Sequence, residues 1–309
     1  MPDTTSNQSV AETRVIEANV AFYLQFANKY DSYETFLFNP AQQKSLENDL
    51  DRIGSYFVSL ERPPSCLDCG GGTGNLTLKM CKRGWAVTVV DVSEKMIGLL
   101  QEKAKAHGYS PMIIHSPIER YLKTTRQTYD LITFSSVLHH LYSYLFVVEQ
   151  SVQRLRPGGV FYSNYDPLAR RSPFWARVFE SLDTTIAKVL FDRKDVLPGI
   201  GRRLRKLFSP SDTEFGRTLL TAGDLAELHV TSGVDDRQIL QILQTSGFSI
   251  VEHERFPTGR TNFTRSLNNR IRLSESFKIV ARRSQNQAGS SPPRAPSANA
   301  SRIPMGNAP

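Results

Sequence analysis

Seven residues, Asp68-Cys69-Gly70-Gly71-Gly72-Thr73-Gly74, constrain this 309-residue chain more than any others. They follow the apolar run Ser65–Cys69 and precede the helical stretch Leu76–Arg83, so they stand where a strand hands over to a helix. Glycines at such a junction let the backbone turn tightly and approach a ligand closely. A dinucleotide-binding turn asks for glycine at positions 70, 72 and 75, but position 75 is Asn75. The spacing is Asp-x-Gly-x-Gly-x-Gly instead, and an acid at that place sits badly beside a pyrophosphate and well beside an ammonium group.

The chain around the loop alternates in the way that builds a parallel sheet. Short apolar runs at Ser65–Cys69, Val87–Asp91, Met112–His115, Asp130–Phe134 and Val160–Asn164 are separated by helical stretches at Leu76–Arg83, Lys95–His107, Ile118–Lys123 and Leu145–Leu155. This pattern reads as successive βαβ units. Gly158 and Gly159, after Pro157, turn the fourth of these helices into the fifth strand. The alternation breaks after Asn164 and resumes at Phe248–Glu254 and Phe277–Ala281, whose connection has no helical signal. The last strand is therefore expected to be antiparallel. Upstream, helices are expected over Val15–Tyr30 and from Gln42 to about Leu60, where Pro63 and Pro64 end the second. The expected fold is an α/β, doubly wound, Rossmann-like sheet of seven strands with an antiparallel last strand and a helical lid insertion. Its domain spans 13–283, with the lid at about 166–247, an unstructured segment at 1–12 and a disordered tail at 284–309. The tail has five prolines and no aromatic residue. Within the lid, helices are expected from Ser172–Pro173, from Thr221 and over Asp235–Thr245.

Composition narrows the partners. The net charge of +8 favours nucleic acid or an anionic membrane surface, yet residues 166–210 alone supply +5 of it, from ten Lys/Arg against five acids. The charge thus describes the insertion more than the whole chain. Three cysteines are too few for a disulfide framework, the N-terminal residues do not read as a signal peptide, and no apolar run is long enough to suggest a membrane span. A cytoplasmic setting is expected.

The second strand ends in Asp91, and an acid there can accept hydrogen bonds from both hydroxyls of a ribose. Asp68 and Asp91 together describe a ligand with an ammonium, a ribose and no phosphate, which is S-adenosylmethionine. Here the sequence resembles the class I S-adenosylmethionine-dependent methyltransferases, well over residues 19–164 and loosely over 248–282. Asp68, Gly70, Gly72 and Gly74 match that family's methionine end and Asp91 its ribose acid. The run from Tyr129 to Leu141 resembles its fourth-strand motif, with Ser135 at the cofactor edge, and Leu155-Arg156-Pro157-Gly158-Gly159 is similar to its turn before strand five. Phe26-Ala27-Asn28-Lys29-Tyr30-Asp31 resembles the segment that closes over the cofactor, which makes Tyr30 the expected contact. Val92 and Met96 are expected to form an apolar adenine wall, although ordinary helix packing accounts for Met96 equally well. One departure stands out: Ser116 occupies the place where the family often has an acid for the adenine amine, and Pro117 has no N–H to donate.

For the chemistry, His139 and His140 follow the fourth strand at the edge where ligands bind, and either can titrate near neutral pH. The competing reading is that they cap backbone groups at a helix start. His229 in the insertion has the same two readings, with packing favoured. Cys66 and Cys69 lack a second cysteine pair to complete a zinc site, so strand packing explains them and no metal is expected. No Asn-Pro-Pro-Tyr run, the family's sign of amino-group methylation, follows the fourth strand, which makes nucleic acid an unlikely acceptor. The expected acceptor is a small or lipid-like organic molecule methylated on oxygen or carbon. The basic, apolar stretch Leu197–Phe208 offers peripheral membrane contact. Two rivals remain: a non-catalytic protein that keeps the cofactor fold for a partner, and an NAD-dependent oxidoreductase, which Asn75 disfavours.

Overall fold

The computed structural model describes residues 4–33, 35–169, 233–256 and 275–285. Seven strands, β1 (Ser65–Cys69), β2 (Ala86–Asp91), β3 (Met112–His115), β4 (Tyr129–Ser135), β5 (Leu155–Pro167), β6 (Phe248–Phe256) and β7 (Ser276–Arg283), form one sheet in the order β3-β2-β1-β4-β5-β7-β6. The first five are parallel, and β7 runs antiparallel between β5 and β6. Strand β7 pairs antiparallel with both β5 and β6, as the sequence implies.

The helices are α1 (Thr4–Phe26), the short α2 (Tyr30–Tyr33) and α3 (Thr35–Phe38), α4 (Pro40–Gly54), α5 (Asn75–Lys82), α6 (Glu94–Ala106), α7 (Ile118–Thr124), α8 (Tyr144–Arg154) and α9 (Asp236–Thr245). Their starts follow local chemistry. Asn39 accepts a hydrogen bond from the Gln42 amide, 3.1 Å away, with Pro40 in the first helical turn. Ser93 accepts from the Met96 amide, and Asp235 from those of Arg237 and Gln238. The central strands are buried on both faces, which is why they read as nearly continuous apolar runs. One face packs Leu67, Cys69, Ile132, Phe134 and Phe161 against α7, α8 and α9, and the other packs Cys66, Val89, Leu131 and Tyr162 against α4 and α5. Cys66 and Cys69 therefore point to opposite faces of the sheet and cannot share a ligand, and burial pushes both thiols well above the ordinary range.

Several boundaries differ from the sequence reading. Helix α1 begins at Thr4, so the expectation of an unstructured 1–12 is corrected from residue 4 on. Residues 4–14 are polar but hold no glycine or proline, and the helix propagates outward from the packed positions Ala11, Val15 and Ala18. Leu24 of this helix is exposed. Strand β5 begins at Leu155, so Gly158 and Gly159 lie in an irregular stretch of the strand, between the pairs Tyr129↔Leu155 and Leu131↔Val160, instead of before it. The same strand runs on to Pro167, past the expected start of the lid. At the other end α9 packs on α8 and β6 as a crossover helix of the sheet. The lid expected over 166–247 thus loses both ends to the scaffold. Its remainder, 170–232, with His229 and the basic stretch, lies outside the described residues, as does the tail beyond Gln285.

Candidate functional site

The order of the strands sets the place of the site. From β1 the chain proceeds to β2 on one side and later to β4 on the other, which opens a crevice at the carboxyl ends of β1 and β4. Two adjoining cavities lie there. The larger encloses about 730 Å³, including the space at its mouth, and is lined by residues from α1, the glycine loop, the end of β2, the start of α7 and the turn after β4. The smaller, of about 360 Å³, runs along the glycine loop past Asp68. Tyr30, Gly70, Gly72 and Ser135 line both.

Each side chain owes its position to an element end. Asp68 is buried in β1, where its carboxylate accepts hydrogen bonds from the Thr77 hydroxyl at 2.6 Å and the Thr133 hydroxyl at 2.8 Å. Burial pushes its carboxyl up to about 6 despite those bonds, with the Asp91 charge adding to the rise. Asp91 ends β2 and accepts from the amides of Gly72 and Ser93, each at 2.8 Å, and burial raises its carboxyl too. The Gly72 amide thus ties the loop to Asp91, and a Cβ added at Gly72 would meet no atom within 4 Å. The space beside it is open for a ligand. Val92 and Met96 line the larger cavity together with Pro117, Ile118 and Glu119. These features fit S-adenosylmethionine: a buried acid for the ammonium, an acid at a strand end for the ribose, and apolar side chains for the ring.

Two expected residues fall outside the cavities. Gly74 lines neither; it sits at φ +95° as the N-cap of α5, and a Cβ there would lie 2.3 Å from Leu100 Cδ1. Its role is the tight turn. Ser116 also lines neither, because Pro117 holds the turn at φ −57° and ψ 139° and the Ser116 hydroxyl donates to the Pro117 carbonyl at 3.1 Å.

The two histidines separate as well. His139 is buried outside the cleft; its Nδ1 lies 2.8 Å from Asp166, whose carboxylate also accepts its backbone amide. Burial pushes Asp166 up to about 7. The β5 register shift between Asn164 and Asp166 leaves Tyr165 at φ +67°, and this bulge aims Asp166 at His139. His139, expected as a catalytic group, is thus held by Asp166 away from the cleft lining. His140 lines the cleft, with its Nε2 2.7 Å from the Tyr23 hydroxyl. Asn19 joins it from the same helix, donating to the His140 carbonyl at 3.1 Å.

The sequence reading missed Glu12, Val15, Ile16, Asn19 and Tyr23, one face of α1 that lies against the cleft. Their spacing of three and four residues carried the signal, but the polar members break the apolar stripe. It also missed Glu119 and Ser136, the latter held at φ +58° after β4.

The comparisons with known proteins agree with this geometry. A methyltransferase-domain family model matches residues 41–253. The tRNA 5-carboxymethoxyuridine methyltransferase of Escherichia coli K12 is 35% identical over 124 residues, 38% of this chain and 46% of that protein. The ubiquinone biosynthesis O-methyltransferase of Vibrio cholerae is 31% identical over 98 residues, 31% of this chain and 40% of that protein. The chain thus spans under half the length of the curated relatives it matches. One of them is by name a tRNA enzyme, so the expectation against nucleic acid finds no support among the relatives. The magnesium protoporphyrin IX methyltransferase of Synechocystis, solved with S-adenosylhomocysteine, superposes with a TM-score of 0.51 at 15% identity over 86% of this chain and all of that one, and shows the same fold. No helix among the described residues is long and apolar enough to cross a membrane. With the family model spanning the sheet from α4 to β6, the chain belongs to the methyltransferase-domain family of class I, S-adenosylmethionine-dependent fold.

Proposed function

We propose that this chain transfers the methyl group of S-adenosylmethionine to an oxygen of a small or lipid-like organic acceptor, with His140 and Tyr23 removing the acceptor's proton. The observation that carries this reading is the 2.7 Å contact between the Tyr23 hydroxyl and His140 Nε2 on the wall of the cofactor cleft. Bound S-adenosylmethionine supplies an electrophilic methyl on a sulfonium. The chain's own part is to hold the acceptor in line with it, and such positioning accounts for much of the rate in transfers of this kind. As the new oxygen–carbon bond forms and the methyl's bond to sulfur breaks, its electron pair returning to sulfur to leave the neutral thioether, the acceptor's proton passes to Tyr23 Oη while Tyr23 gives its own to His140 Nε2, leaving an imidazolium. Asp166 holds the neighbouring His139, whose ring centroid is 3.9 Å from that of His140, and so fixes the pair. Val15, Ile16, Val137 and Leu141 give the cleft an apolar lining suited to such an acceptor. The oxygen acceptor named for the Vibrio cholerae relative supports the same class.

The test is S-adenosylhomocysteine production with quinols and phenols, aliphatic carboxylic acids, primary amines and tRNA as candidate acceptors. An oxygen acid should turn over, and His140→Ala should lower its kcat by about 10²- to 10⁴-fold while leaving cofactor affinity intact. An unchanged kcat in that variant would remove the base. Turnover of tRNA alone would move the acceptor to nucleic acid, and cofactor binding with no turnover would favour a non-catalytic role.

A further inference from the structure

The residue beside Tyr30 ties three elements together. The Asp31 carboxylate, in α2, accepts a hydrogen bond from the Thr73 hydroxyl of the glycine loop at 2.6 Å through Oδ1, and its Oδ2 pairs with the Lys103 ammonium of α6. Lys103 also donates to the Thr73 carbonyl at 3.2 Å, which closes a triangle between α2, the loop and α6. Thr73 is buried between Gly72, whose amide holds Asp91, and Gly74, which caps α5. The loop corner of the triangle is therefore fixed by the scaffold. Helix α2 has four residues, too few to hold a helical turn unaided, so side-chain ties of this kind decide where it lies.

What the tie positions is Tyr30. Its ring meets the ring of Tyr23 edge-on, with centroids 5.9 Å apart, and that of Phe38 edge-on at 6.1 Å. Tyr23 lines the larger cavity and Phe38 the smaller, so Tyr30 stands between the two. A ligand that reaches both Asp91 in the one cavity and Asp68 in the other passes the four residues that line both. Gly70, Gly72 and Ser135 of that set belong to the ends of β1 and β4, whereas Tyr30 comes from the segment before the sheet and is the member that can withdraw. We infer that Asp31 is a positioning residue for cofactor exchange: its latch on Thr73 and Lys103 holds Tyr30 over the bound cofactor, and release waits for that latch to open. The inference depends on the cofactor spanning the two cavities, and neither the acceptor nor the Tyr23–His140 pair enters it.

Stopped-flow displacement of S-adenosylhomocysteine from the full chain tests this. The Asp31 side chain is 43% exposed and that of Lys103 35%, so salt screens their pairing. Release from the wild-type protein should quicken about two- to threefold between roughly 0.05 and 0.5 M NaCl. Asp31→Asn keeps an oxygen for the Thr73 hydroxyl but loses the charge. It should release the ligand about two- to fivefold faster at low salt and respond no further to salt. Lys103→Met should match it, and the double variant should be no faster than either single one, because both remove the same pair. Release rates that stay at the wild-type value in the variants, with only the melting temperature lowered, would make Asp31 merely structural and overturn the inference. Additive effects of the two substitutions overturn it too. A wild-type release rate indifferent to salt does the same and needs no variant to fold. Failure of the folded wild-type protein to bind S-adenosylhomocysteine at all would instead overturn the cofactor reading beneath, which keeps the two failures apart.

Discussion

Replacing Asp68 with Asn should make the free protein more stable at neutral pH and weaken its hold on the cofactor. The side chain is almost wholly buried at the end of β1, and burial lifts its carboxyl from 3.8 to about 6. A shift of about two units means that keeping the group ionised costs the fold about 3 kcal/mol at pH 8. The sign follows from the raised value: the folded protein binds this proton more tightly than the unfolded chain does. The cost is therefore fully present above about pH 6, shrinks as the pH falls toward 3.8, and vanishes below it. Asparagine keeps an oxygen for the Thr133 hydroxyl and turns an amide to the Thr77 oxygen, so most of the shape and bonding survives. With some loss at those bonds, the net gain for Asp68→Asn should be about 1–2 kcal/mol at pH 8. Urea unfolding of both proteins at pH 8 and pH 5 measures it, and the difference in stability should shift by about 1.5 kcal/mol in favour of the wild type between the two. The same variant should bind S-adenosylhomocysteine one to two decades more weakly at pH 8, since a charge-assisted bond contributes roughly 1.5–3 kcal/mol. A variant less stable than the wild type at pH 8, or a difference that does not move with pH, would refute the reasoning about buried charge. Unchanged affinity would detach Asp68 from the cofactor.

Asp91→Ala should weaken S-adenosylhomocysteine binding by about one to two decades through the lost bonds to the ribose hydroxyls, and titration calorimetry showing no change would remove Asp91 from the site. Gly74→Ala should lower the melting temperature through a cost of about 1–3 kcal/mol, because the new Cβ meets Leu100 Cδ1 at 2.3 Å in a left-handed conformation; a melting temperature equal to wild type would show that the turn relaxes freely.

The sheet was legible because its central strands are buried on both faces. Such strands must be apolar throughout, and the expected bounds of β1 coincide with the observed ones. Asp68 and Asp91 were legible for the converse reason: a carboxylate at the end of an apolar strand is costly unless something uses it. The turn after β3 was not, because the direction of the Ser116 hydroxyl depends on the backbone that Pro117 fixes. Nor could sequence separate His139 from His140. They are neighbours in one tight turn, and the β5 bulge at Tyr165, many residues away, decides which of them Asp166 captures. The part played by α1 was hidden in its mixed composition. Glu12, Asn19 and Tyr23 read as solvent-facing until the cavity they line is present.

The electrostatics of the cleft also bear on which cofactor it takes. Burial raises the carboxyls of Asp68, Asp91 and Glu119, and among the described residues no lysine or arginine lines either cavity. What holds these acids is a set of neutral donors: the Thr77 and Thr133 hydroxyls and the backbone amides of Gly72, Ser93 and Glu119. A pyrophosphate laid along the glycine loop would bring two more negative charges within reach of Asp68, with no cation among the described lining residues to offset them, and would drive these carboxyls further toward protonation. An ammonium and a sulfonium do the reverse. They lower the carboxyls they approach, so binding releases protons, and the desolvation that destabilises the free protein is offset by the ligand's charge. A glycine loop alone serves either cofactor. The buried acid two residues before it, with no cation beside it among the described residues, favours the positively charged one.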